Sequence, residues 1–346
     1  MRRVTLKDIA ARAGVSVTAV SRALNGHKDI AEDTRVRIKE LARSLNYQPN
    51  IVARSLVTQR SRAIGLFLLG REKGQGFSHP FSGQIINGML DKLTENGYDL
   101  IVFNVNRAPR SGEPSYLDLC RRRNVEGAFF MGLRLDDPWL PELKNSSIPV
   151  VALDMPLAGQ RAFSVGCDNV SGAYAAVRYL IELGHSKIGM INGHAQAAVS
   201  FDRQEGYKAA LVDSGLPYDP RLVVEGNFDM ETGRAAFARL LAAAPEVTAV
   251  FAASDLMAFG VLKEAAERGI RVPDDLSVIG FDNIDMSSMA SPPLTTMSQP
   301  RYELGQTVGE MFVSACNGKM PLSTVLLKAD LIVRNSTASP NQRLRR

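Results

Sequence analysis

At 346 residues, 45% of them hydrophobic and 22% charged, the chain is too long for one small core and too apolar to stay disordered, so two or three globular domains are expected. Cys120, Cys167 and Cys316 are odd in number and widely spaced, which argues against a disulfide framework or a zinc site and leaves them as ordinary thiols. The net charge of +5 is uneven: residues 1–62 hold 13 basic and 5 acidic side chains, giving +8, and the remainder holds 28 and 31, giving −3.

A basic head on a faintly acidic body suits a module that meets phosphates, although a basic solvated face gives the same count. No run of about 18 apolar residues occurs, and the start MRRVTLKDIAARAG carries charges where a secretion signal needs an apolar stretch. A cytoplasmic protein without membrane contact is the expectation.

In chain order, Thr5 with Asp8 three residues later reads as a capping box, and Leu6, Ile9, Ala10 and Ala13 then share one helical face. Gly14 supplies a left-handed turn, and Ser16 caps a second helix running from Val17 to Leu24. Val20 and Leu24 pack inward in this reading, which leaves Thr18, Ser21, Arg22 and Asn25 outside. Arginine can bond two acceptors on guanine, and serine, threonine and asparagine can serve phosphates or base edges. A third amphipathic pattern, Ile38, Leu41, Ala42 and Leu45, closes a three-helix core and ends near Asn46 to Pro49. A helix-turn-helix fits better than a plain three-helix bundle because capping, turn, exposed donors and charge agree.

TLKDIAARAGVSVTAVSRALNG, followed by LNYQPNIVARSLVTQRS and IGLFLL, resembles the lactose-repressor and galactose-repressor (LacI/GalR) family along the whole chain. The resemblance implies a DNA-binding transcriptional regulator, a repressor in the first instance, with Thr5, Ser16, Val17, Thr18, Ser21, Arg22, Asn25 and Tyr47 at the DNA. It also implies a hinge helix over residues 50–58 that two subunits insert into the operator's minor groove, using Asn50, Ala53 and the wedge Leu56. The sequence agrees, since about nine residues opening with β-branched Ile51 and Val52 are too few for a stable isolated helix. Leu56→Ala is then expected to weaken operator binding far more than nonspecific binding in a salt-matched titration.

From Ala63 onward AIGLFLLG, DLIVFNV, VEGAFFMG, PVVALDM, KIGMING, LVVEGNF, AVFAAS and DLSVIGFD read as buried strands. Helical patterns over 83–96, 171–183, 203–214, 231–243 and 256–268 separate most of them. This is an α/β body, and the number of units suggests two parallel sheets flanked by helices. The resemblance implies two lobes of a periplasmic-binding-protein-like domain. The expected division is a helix-turn-helix domain over 1–49, hinge and linker over 50–62, and an effector domain over 63–346. Lobe 1 takes about 63–162 plus 296–320, and lobe 2 about 163–292 plus 323–338, with crossovers near 292–299 and 319–322.

In open parallel sheets ligands sit beyond the carboxyl ends of the strands. Asp154, Ser254, Asp255 and Asp282 fall there, and Arg203 opens a helix after Phe201. The resemblance places all of them around an effector cleft, with Phe81 and Gln299. Carboxylates accept hydroxyl protons, arginine donates in a fork and an aromatic ring covers a sugar face, so a sugar effector is favoured and a purine or other metabolite is the alternative. Aspartate also caps the helix that follows a strand, and asparagine or serine often fills turns, an objection that falls hardest on Asp255 and Asp168. His185 and Trp139 read as structural.

The run with Gly70, Gly74 and Gly76 has no dinucleotide or P-loop spacing, His27, His79, His185 and His194 form no HExxH, and no GxSxG occurs. Neither an enzyme, a cofactor nor a metal is expected. A solute-binding protein and an α/β enzyme are the competing classes. The tail NSTASPNQRLRR lacks leucine heptads, so a homodimer on a near-palindromic double-stranded operator is expected rather than a tetramer.

Overall fold

The computed structural model describes residues 4–24, 29–47, 60–69, 79–103, 105, 110 and 112–340. Asn25, the segment 50–58 with Asn50, Ala53 and Leu56, and the loop with Gly70, Gly74 and Gly76 lie outside them. The chain divides into two compact units, residues 1–61 and 62–346.

In the first unit α1 (Leu6–Ala13), α2 (Val17–Leu24) and α3 (Glu32–Ser44) surround fully buried Ile9, Val20 and Ile38. The capping box forms as the sequence predicts: the Asp8 amide donates to Thr5 Oγ1 and the Thr5 amide to Asp8 Oδ2 at 2.8 Å. Gly14 takes φ +67° and closes α1 with its amide on Ala10 O. Ala10, Ala13, Ala23 and Ala42 complete the core, small side chains that let three short helices approach closely.

The second unit contains two six-stranded sheets. The first comprises β1 (Ala63–Leu68), β2 (Asp99–Phe103), β3 (Gly127–Met131), β4 (Val150–Leu153), β5 (Ala162–Cys167) and β11 (Thr324–Leu327) in the order β11-β5-β4-β3-β1-β2, all parallel. The second comprises β6 (Ile188–Asn192), β7 (Val223–Glu225), β8 (Ala249–Ala252), β9 (Ser277–Asp282), β10 (Thr295–Ser298) and β12 (Asp330–Ile332) in the order β12-β10-β9-β8-β6-β7, with only β12 antiparallel.

Helices α4 (Ser82–Glu95), α5 (Tyr116–Arg122), α6 (Leu140–Lys144) and α11 (Arg301–Cys316) flank the first sheet. Helices α7 (Asn169–Glu182), α8 (Ala198–Asp213), α9 (Met230–Ala243) and α10 (Asp255–Glu267) flank the second. Alternation along β1 feeds both faces: Ile64, Leu66 and Leu68 pack toward α4 and α11, while Ala63 and Phe67 join the opposite core. There Phe67 lies between Phe103 and Phe130, with ring centroids 4.4 and 4.6 Å away.

Pairing moves the expected lobe limits. Strand β5 belongs to the first sheet, so lobe 1 runs to Cys167 rather than 162. Strand β10 belongs to the second sheet, so the chain returns to lobe 1 only after Ser298. Strand β11 pairs with β5, which puts the last crossing at Lys328 and Ala329 rather than at 319–322. The physical reason is that β5, with Ser164 and Gly166, and the short β10, β11 and β12 lack a continuous apolar run, so their places were set by long-range pairing. The chain therefore passes between the lobes three times.

Candidate functional site

On the head, Val20 and Ala23 face the core, while Val17, Thr18 and Arg22 are exposed and Ser21 is half-buried. Ser16 caps α2 by accepting the Ala19 amide at 3.1 Å. Thr5 sits at the N-terminus of α1, its hydroxyl donating to Asp8 Oδ2, and Tyr47 packs half-buried on the head core. The guanidinium of Arg22 pairs with Asp29, Nη2 to Oδ2 at 2.8 Å.

In the body, the ends of β4 and β9 and the first turns of α7 and α8 converge where the lobes meet. Arg203 is 3% exposed and its guanidinium carbon stands 3.9 Å above the Phe281 ring. Its Nε donates to Asn169 Oδ1 at 2.8 Å and its Nη1 to the carbonyl of Ala253. Asp282 follows on β9, 7% exposed, and its Oδ1 accepts from Gln299 Nε2 at 2.7 Å. Gln299 Oε1 is buried with no hydrogen-bond partner among the described residues. From lobe 1, Asp154 Oδ1 accepts the Cys167 amide at 3.3 Å. Asp154 and Asp282 both hold positive φ values, +52° and +127°.

Burial raises the Asp154 carboxyl above its ordinary range, opposed by the positive charge of Arg203. Burial likewise pushes Asp282 up to about 7, again against Arg203, with the Asp255 charge adding to the rise. A carboxyl raised in the folded state binds a proton that the unfolded chain, titrating near 4, has released, so its stabilising contribution is lost as pH rises from about 4 through about 7. Thermal unfolding without effector is therefore expected to show stability falling across that window, less steeply in Asp282→Asn. Equal slopes for the two proteins would remove Asp282 as a source.

Two of the expected ligand contacts already have partners within lobe 2. Asp255 is fully buried, its carboxylate accepting the Ile284 amide at 3.0 Å and the hydroxyls of Ser287 and Thr296 at 2.5 Å each, so it braces lobe 2 internally. Ser254 caps α10 by accepting the Met257 amide. Asp168 caps α7, and His185 is held by Thr248, Ser277 and the Ala338 carbonyl, both in structural roles. Trp139 packs on the lobe 1 core, as does Phe81 from just before α4. Phe201, 56% exposed, lines a concavity of ≈ 260 Å³ beside β7 with Gly193, Ser200 and Tyr218.

The sequence reading missed Asn169, which bonds both Arg203 and the Cys167 carbonyl, and Phe281 beneath Arg203. It also missed Arg301, a buried side chain that donates to the Pro80 carbonyl in lobe 1 and the Asn283 carbonyl in lobe 2, at 3.0 and 2.9 Å. A second tie joins the lobes, the Leu135 amide donating to the Gln196 carbonyl at 2.9 Å. Asn169 could have been found as the second residue after a strand end, had β5 been recognised.

Residues 5–50 match the family described as bacterial regulatory proteins, lacI family, and residues 177–337 match the periplasmic binding protein-like domain. The HTH-type transcriptional repressor CytR of Escherichia coli (strain K12) is 34% identical over 341 residues, 96% of each chain. The chain belongs to the LacI family. The HTH-type transcriptional regulator CelR of Thermobifida fusca is 35% identical to this LacI-family chain, covering 97% of it and 98% of CelR. Among solved structures, the Lac repressor dimer bound to operator and the anti-inducer ONPF superposes with a TM-score of 0.83 at 27% identity, over 97% of this chain and all of that one. The CelR–cellobiose complex gives 0.71 at 31%, over 96% and 100%. This LacI-family protein is a DNA-binding transcriptional regulator.

Proposed function

We propose that the protein represses genes of sugar uptake or metabolism in the cytoplasm. As a homodimer it grips a near-palindromic operator, and a neutral sugar bound between the lobes changes that grip. The observation that carries the sugar is the excess of acceptors at the lobe junction: buried Asp282 and half-buried Asp154 face one arginine, and Gln299, which donates to Asp282, keeps a buried Oε1 with no partner among the described residues. That arginine already donates to Asn169 and Ala253. A hydroxyl-rich ligand supplies the donors such a junction lacks, whereas an anion meets added carboxylates. The fit of the chain to CelR, whose solved complex holds cellobiose, supports the same class.

Asp154, Arg203, Asp282 and Gln299 form the centre of the effector set, with Phe81 and Phe201 toward its margins. The reading surface is Thr5, Ser16, Val17, Thr18, Ser21, Arg22, Asn25 and Tyr47, continued by Asn50, Ala53 and Leu56. Effector binding acts through linkage: a ligand that prefers one lobe arrangement shifts the affinity for DNA by the same factor that DNA shifts the ligand's. The chain works by binding and not by catalysis.

The test is a thermal-shift screen of the full chain against mono- and disaccharides and nucleobases, followed by a gel shift with and without each hit on duplexes selected by the protein from a random pool. A stabilising sugar that changes the gel shift supports the reading. A nucleobase as the sole hit replaces the sugar by a purine, and failure to select any DNA sequence removes the regulator's proposed mode of action.

A further inference from the structure

Among the described acidic side chains of the head, Asp8 is engaged in the α1 capping box and Glu32 pairs with Arg35 three residues on. Asp29 differs, because its partner is the outward-facing Arg22 of α2 rather than a residue of its own segment. Both side chains are 48% exposed, so the pair contributes little to folding. On a segment of charge +8 that meets a polyanion, a carboxylate against the reading helix also lowers general attraction to phosphate. Stability and bulk electrostatics therefore both leave this carboxylate without a role.

Geometry supplies one. A guanidinium is a rigid plane with five donor hydrogens, and Nη2 carries two of them. The Asp29 carboxylate lies 2.8 Å from Nη2, an ion pair that biases where the guanidinium sits while leaving its Nε and Nη1 donors to point elsewhere. A bidentate contact to guanine needs two parallel donors held in one orientation. An arginine already oriented loses less side-chain freedom when it makes that contact.

We propose that Asp29 is a positioning residue for Arg22, setting sequence discrimination in two ways: it orients the fork for base reading and it repels phosphates that offer no base information. This rests on the reading that Arg22 contacts a base. The test uses the full chain, a duplex selected from a random pool by the wild-type protein, and a scrambled duplex of equal length, with affinities from fluorescence anisotropy at matched salt. Asp29→Asn is expected to lower the ratio of selected to scrambled affinity about tenfold, with scrambled binding unchanged or tighter. In an Arg22→Ala background, where that ratio has already fallen, adding Asp29→Asn is expected to change it less than twofold. If Asp29→Asn tightens both duplexes equally, or if its effect persists undiminished without Arg22, the proposal is overturned. If Arg22→Ala alone keeps the ratio, the base-reading assignment falls first and takes the proposal with it.

Discussion

Arg203→Ala is expected to abolish most effector response while operator binding survives. A charged hydrogen bond made in a desolvated cleft is worth about 1.5–3 kcal/mol, which corresponds to roughly tenfold or more in effector affinity. The same substitution leaves Asn169 Oδ1 and the Ala253 carbonyl without their arginine donor. It also removes the cation that opposes the upward shift of Asp154 and Asp282. A fall of about 1–3 kcal/mol in folding stability should accompany the binding loss. Arg203→Lys keeps the charge but not the planar fork over Phe281, so it should recover stability better than affinity. Isothermal titration with a sugar found in the screen, beside a gel shift, reads both quantities. Unchanged effector affinity in Arg203→Ala would sink the assignment.

Gly305→Ala is expected to produce the largest loss of stability. A Cβ at this position on α11 would lie 2.0 Å from the Ile85 carbonyl oxygen and 2.8 Å from the Met89 nitrogen, both backbone atoms of α4. Side chains can rotate away from an intruding methyl; a helix backbone has to translate. Overpacking of this kind costs about 3 kcal/mol or more. For a body of this size that lowers Tm by roughly 6–12 °C. Gly83, on the first turn of the same α4, is the matched control, because a Cβ there meets nothing within 4 Å. Gly83→Ala should be neutral or slightly stabilising in the same thermal melt. Similar losses in both variants would mean that the two helices do not touch through Gly305.

Much of the fold was legible because its strands are apolar runs broken by helical periodicity. AIGLFL and SVIGFD are buried at every position, and the pattern shows it without any partner strand. TTMS, TVLL and DLI carry no such mark, and only pairing with β9, β5 and β10 makes them strands. The site divides in the same way. Asp282 stands where local sequence already points to a strand end, whereas Arg203, read as opening a helix after Phe201, lies in the second turn of α8, which begins at Ala198 and includes Phe201. Asp255 stands at an equally suggestive position, yet Ile284, Ser287 and Thr296, 29 to 41 residues away, take its oxygens. Arg301 gave no signal because the glycines of RYELGQTVGEMFVSAC, which permit close packing on α4, blur the helical pattern.

The late return of the chain also bears on its birth at the ribosome. Lobe 1 lacks α11 until residue 316 has emerged and its last strand until residue 327, although its first strand begins at residue 63. Lobe 2 waits for β12, which ends at residue 332. Neither half can finish before nearly all of the polypeptide has been synthesised, so nascent chains expose unfinished sheet edges for most of translation and chaperones should find them there.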